Sequence, residues 1–118
     1  MNKSAIIVSL LVIAAGAPVG SSAQDKRAFT GVITDSMCSS ADHKGMRMGP
    51  TDGECTIACV LAHGALYVLY DGKEVYTLSD QTTPEKFAAK KVTVTGTLDA
   101  KTKTIHMDNS AGSIVAVK

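Results

Sequence analysis

The stretch that most constrains the fold is residues 65–78. Ala65 to Tyr70 (ALYVLY) is an apolar, aromatic-rich run of strand length, Asp71-Gly72 is a turn pair, and Glu74 to Leu78 (EVYTL) is a second such run. Two short β-prone runs divided by Asp-Gly read as a hairpin, because the turn needs backbone angles that these two residues adopt at least cost. A lone hairpin buries too little to be stable in water, so the rest of the chain has to supply partners. It does. Lys91 to Leu98 (KVTVTGTL) alternates, with Val92, Val94, Gly96 and Leu98 on one face. Lys103 to Met107 (KTIHM) follows the Asp99-Ala100-Lys101 turn, and Ile114 to Val117 reads as a last short strand. Ser79 to Thr83 is a turn, and Pro84 sits where a helix often starts, opening a helical turn over Glu85 to Ala89.

Upstream, Ala28 to Thr34 (AFTGVIT) reads as a first strand, and Gly31 within it signals a bulge or a close backbone approach. Met37 to Gly53 is a long loop, of the kind that in compact domains is functional or disordered. Thr51 or Asp52 can cap a helix over Glu54 to Ala62, with Gly64 as its stop. Five or six short strands with one helix inserted after the first predict a mainly β fold, a small OB-like barrel.

The start of the chain predicts export. Lys3 supplies a positive n-region, Ala5 to Ala17 is an apolar run too short to span a bilayer comfortably, and Ser21-Ser22-Ala23 offers small residues at a cleavage site before Gln24. Residues 1–23 thus read as a signal peptide and residues 24–118 as a single domain of about 95 residues, periplasmic or secreted. The chain has 12 Lys and Arg against 11 Asp and Glu, and loss of Lys3 makes the domain neutral. That balance argues against nucleic acid or an acidic membrane surface as partner, and leaves a small ligand, a metal or another envelope protein. No membrane attachment is expected after cleavage.

A domain this small often needs a disulfide or a metal to hold it. All three cysteines, Cys38, Cys55 and Cys59, and two of the three histidines, His43 and His63, lie between Asp35 and His63. Cys55, Cys59 and His63 recur every four residues and so share a helix face.

Cys38, His43, Glu54-Cys55-Thr56-Ile57-Ala58-Cys59 and Gly64-Ala65-Leu66-Tyr67-Val68-Leu69 resemble the pattern of a family of small exported bacterial proteins of uncharacterised function. So do Val75 to Gln81 and Lys90 to Leu98, and the resemblance covers nearly the whole mature chain. It implies an OB-like barrel behind a signal peptide and implies no activity. His63 lies outside the shared pattern.

Three chemistries compete for the cysteines. The first expectation is a disulfide from Cys38 to Cys55 or Cys59, which would close a loop of about twenty residues and stabilise the domain by about 3 kcal/mol. Cys55 with Cys59 is the poorest pair, since neighbours one helical turn apart meet the torsional demands badly. A disulfide leaves one thiol over. The second is a metal site of Cys38, His43, Cys55 and Cys59, a three-sulfur, one-nitrogen set that suits zinc. Met37, Met46 and Met48 add soft donors that make copper the alternative, although methionines in such a loop are more often gap-fillers over the core. The third is thiol redox or nucleophilic chemistry, with Cys55 at a helix N-terminus and His43 as base. There is no Cys-x-x-Cys motif, catalytic triad, phosphate loop or paired-carboxylate site, so no catalytic residue is assigned and the reading leans away from an enzyme.

Other candidates are weaker. Asp35 and Asp42 could bind a cation, but loop acids are usually solvated. His106 alternates with Ile105 and Met107 and reads as an exposed strand residue. Tyr67, Tyr70 and Tyr76 read as barrel wall and core rather than a stacking platform. The leading functional expectation is an exported, non-enzymatic binding module whose Cys/His cluster is a disulfide staple or a metal site. A thiol-dependent redox protein of the envelope comes second, and a stapled structural domain third.

Overall fold

The structure is a computed structural model, and it describes Gly16 and residues 26–108 and 112–118. The expected signal peptide lies outside the described residues apart from Gly16. Among the described residues, no helix is long and apolar enough to cross a membrane.

Six strands form one sheet: β1 (Arg27–Asp35), β2 (Tyr67–Tyr70), β3 (Val75–Leu78), β4 (Lys91–Asp99), β5 (Thr104–Met107) and β6 (Ile114–Ala116). Helix α1 (Asp52–His63) is inserted between β1 and β2, and a short 3-10 helix (Thr83–Phe87) lies between β3 and β4. The spatial order is β1-β2-β3-β5-β4, with β4 returning to pair with β1. This closes a five-stranded barrel of OB-like topology. All pairings are antiparallel except β3 with β5, and β6 extends the barrel wall on β4.

Closure depends on β1 serving two neighbours. Its first part, Arg27 to Val32, pairs with Gly96 to Lys91 of β4, and its second, Val32 to Asp35, with Tyr70 to Tyr67 of β2. The strand therefore bends at Gly31 and Val32. A β-carbon built on Gly31 would lie 2.4 Å from the Tyr70 carbonyl oxygen, so this is the close backbone approach expected from the sequence.

Inward residues alternate as the period of two requires. Ile33, Tyr67, Leu69, Leu78, Val92, Val94, Ile105, Met107 and Ile114 form the core, with Phe29, Val60, Tyr76, Phe87 and Leu98 packed on it. Each fully buried aliphatic or aromatic side chain contributes about 1.5–3 kcal/mol. Tyr67 belongs to this core, Tyr76 lies against Phe29 with ring centroids 5.4 Å apart, and His106 is exposed. Gln81 fastens the β2 end of the barrel. Its amide oxygen accepts from Tyr67 N–H at 2.7 Å, and its amide nitrogen donates to the Tyr67 and Leu78 carbonyls at 2.9 and 2.8 Å.

The hairpin turns at Asp71-Gly72 as expected, and β3 begins at Val75 rather than Glu74. Asp71 N–H donates to the Glu74 carbonyl at 3.1 Å, and the Asp71 carboxylate accepts N–H groups from both Lys73 and Glu74. Gly72 supplies the left-handed angle at φ 101°.

Helix α1 begins and ends for local reasons. Thr51 is its N-cap, its hydroxyl oxygen accepting the Glu54 N–H at 3.2 Å while the hydroxyl donates to the Glu54 carboxylate. Gly64 terminates it in the left-handed region at φ 67°. Thr51→Ala is expected to cost about 1 kcal/mol of stability, measured by urea unfolding, with no change in barrel circular dichroism.

Candidate metal centre

The last residue of β1 opens the site. Asp35 follows Ile33 by two positions, so its side chain takes the inward face of the strand, and it is fully buried. Its Oδ1 accepts the N–H groups of Met37 and Cys38, both at 3.0 Å, which turns the chain sharply. The Thr34 hydroxyl, also buried, donates to the Cys38 carbonyl at 2.7 Å and tightens the same turn. Asp35 and Thr34 therefore fix the backbone that carries the Cys38 thiol. Further turns through Ala41 bring His43 back over the strand end, with the Cys38 carbonyl accepting Ala41 N–H at 2.9 Å.

The result is a buried group of three donors. One ligand atom from each of Asp35, Cys38 and His43 lies within 4.8 Å of the other two. Exposure is 0 % for Asp35, 7 % for Cys38 and 3 % for His43. Asp35 Oδ2 and His43 Nδ1 are 4.0 Å apart, and neither has a hydrogen-bond partner. Tetrahedral zinc with bonds of about 2.0–2.3 Å sets its ligands about 3.3–3.8 Å from one another. The three donors thus need to close by at most about 1.5 Å to meet on one ion. His43 Nε2 lies 3.4 Å from the Thr56 hydroxyl of α1. A proton on Nε2 donated to that oxygen leaves the Nδ1 lone pair free on the side facing Asp35.

The helix contributes Cys55, Thr56 and Cys59, its three buried residues. Cys55 is bound up with the loop. Its thiol donates to the Met46 carbonyl at 3.2 Å and its sulfur accepts Met48 N–H at 3.3 Å. Burial, then the negative charge of Asp35, then Cys55 and Cys38, push the Cys59 thiol up to about 11. Burial, followed by Asp35, Cys55 and Asp42, raises the Cys38 thiol as well. Cys55 and Cys59 pack with Ala65 in one small buried cluster.

Several expectations need correction. The disulfide is not formed: Cys38, Cys55 and Cys59 are free, buried thiols, and the Cys55 sulfur is engaged with the Met46 carbonyl and Met48 N–H instead. Of the four expected ligands, Cys38 and His43 fall in the compact donor group, whereas Cys55 and Cys59 stand beside it. Asp35 is not a solvated loop acid but the buried third donor, whereas Asp42 is exposed and caps Lys44 N–H. Met37, Met46 and Met48 do not fill core gaps. They are 44 %, 43 % and 38 % exposed, because the bonds of Cys55 and Asp35 hold their backbone, and not their side chains, against the cluster. His63 is exposed at the end of α1 and takes no part.

A buried carboxylate oxygen facing a buried imidazole nitrogen, with a thiol beside both, matches zinc by donor type. The arrangement can hold a metal ion. Comparison of the chain with protein-family models, with curated proteins and with solved structures finds no match, so the chemistry of this cluster alone speaks for what the protein does.

Proposed function

We propose that this protein is a small exported, non-enzymatic binding module whose site, built on Asp35, Cys38 and His43, takes up a zinc ion. The observation that carries the reading is the pair of orphaned polar atoms, Asp35 Oδ2 and His43 Nδ1, which face each other at 4.0 Å in a buried place. Asp35 Oδ1 is satisfied by two N–H groups, but leaving Oδ2 and Nδ1 buried without partners costs free energy, and a cation between the two groups removes that cost. Zinc is favoured over copper(I) because a carboxylate is a hard donor, whereas copper(I) selects soft sulfur. Export rests on the sequence of residues 1–23.

The redox alternative is weaker on physical grounds. A reactive cysteine needs access to solvent, and Cys55, the thiol that reading relies on, is fully buried with its sulfur bonded to the Met46 carbonyl and Met48 N–H, while Cys38 and Cys59 are buried with raised values.

Asp35→Asn tests the reading. The amide oxygen still accepts from Met37 and Cys38, so metal-free stability is expected to stay within about 1 kcal/mol of the unsubstituted chain. Zinc uptake, measured by equilibrium dialysis with elemental analysis, is expected to fall from one ion per chain to none at micromolar metal. A variant that still retains stoichiometric zinc contradicts the proposal.

A further inference from the structure

We infer that Cys59 is a fourth ligand of this ion, and that Cys55 is not a ligand but the clamp that holds the loop carrying His43. The inference rests on the metal-site reading above and divides the two helix cysteines between different tasks.

Three donors leave a tetrahedral ion one position short. The donors at hand are buried, so the fourth position is most simply filled from the protein, and α1 is the element packed over them. Its orientation is fixed by Thr56, whose hydroxyl is 3.4 Å from His43 Nε2. Cys59 is three residues beyond Thr56 and therefore next to it on the same helix face. Cys59 is fully buried, on the part of α1 that meets the end of β1 and its loop. It lies outside the compact group of three, so binding draws α1 and the loop together around the ion.

Cys55 is differently placed. Its S–H donates to the Met46 carbonyl and its sulfur accepts Met48 N–H, so one side chain ties down both ends of the 46–48 segment. Ligation by Cys55 would require loss of that proton and of the bond to Met46. Ligation by Cys59 leaves both of these loop bonds of Cys55 in place. As the two sulfur–metal bonds form, Cys38 and Cys59 each release one proton to solvent, and no electron changes hands.

Cobalt(II) bound in place of zinc counts the thiolates through its near-ultraviolet sulfur-to-metal charge-transfer band. The purified chain, loaded with cobalt(II), is expected to show the intensity of two thiolates. Cys59→Ala is expected to halve the band, and Cys55→Ser, whose hydroxyl keeps a donor for the Met46 carbonyl and an acceptor for Met48 N–H, to leave it at full strength. The intensity of one thiolate in the unsubstituted chain, or of three, overturns the inference, as does a full band in Cys59→Ala or a halved one in Cys55→Ser. The count in the unsubstituted chain does not depend on either variant folding. If the unsubstituted chain takes up no cobalt(II) and no zinc, the metal-site reading itself fails and this inference with it. Uptake with the wrong thiolate count sinks only the assignment of Cys59.

Discussion

Cys38→Ser is expected to weaken zinc binding by about 100- to 1,000-fold, as when one of four ligands sharing about 10–16 kcal/mol is lost. The substitution is a clean one. The Cys38 N–H is held by Asp35 Oδ1 and its carbonyl by the Thr34 hydroxyl, so the turn survives without the sulfur. What changes is the donor, because a serine hydroxyl is a far poorer zinc ligand than a thiolate. The affinity is read by competition with a chromophoric chelator. Stability gives a second reading, since zinc at 100 times its dissociation constant should stabilise the unsubstituted chain by about 2.7 kcal/mol and Cys38→Ser scarcely at all. His63→Ala is the control. That side chain is exposed at the helix end, and its loss is expected to leave the affinity unchanged.

The second large effect concerns the barrel itself. Gly31→Ala is expected to destabilise the protein by about 3 kcal/mol. The added carbon would sit 2.4 Å from the Tyr70 oxygen, 2.8 Å from the Tyr70 carbonyl carbon and 3.1 Å from the Asp71 Cα. All three are backbone atoms, so no side chain can turn aside to make room. Relief requires β1 to part from the end of β2 at the bend where the barrel closes. Gly45→Ala serves as the comparison, because a β-carbon there meets nothing within 4 Å and the glycine is not in the left-handed region. Urea unfolding of the two variants should separate them clearly. Equal stabilities would mean that β1 does not pass so close to Tyr70.

The barrel was legible in the sequence because its signals are local. KVTVTGTL alternates along β4 as the pleat demands, Thr51 and Gly64 mark the ends of α1, and Gly31 announced a close approach. The order of strands around the barrel, including the parallel pairing of β3 with β5, is set by long-range contacts that no local pattern displays.

The site was legible in part, through Cys38 and His43. Asp35 was undervalued for a definite reason. With the strand taken to stop at Thr34, the aspartate fell into the loop and read as solvated. One more residue of strand puts it two positions after Ile33 on the inward face, where a carboxylate needs a partner. The following Ser-Met-Cys was the available clue, since an aspartate that caps the next N–H groups with one oxygen leaves the other free to bind. The expectation of a disulfide rests on export and on a loop that lets Cys38 reach the helix. The fold instead seats Cys55 under the loop through hydrogen bonds, with all three thiols free.

The account turns on one place in the molecule, the space between Asp35 Oδ2, Cys38 Sγ and His43 Nδ1. Anomalous scattering at the zinc edge from a crystal of the zinc-loaded chain tests it most directly. The expected result is a single strong peak there, with ligand distances of about 2.0–2.3 Å. A peak elsewhere on the chain, or none in that space from a fully loaded crystal, would contradict it.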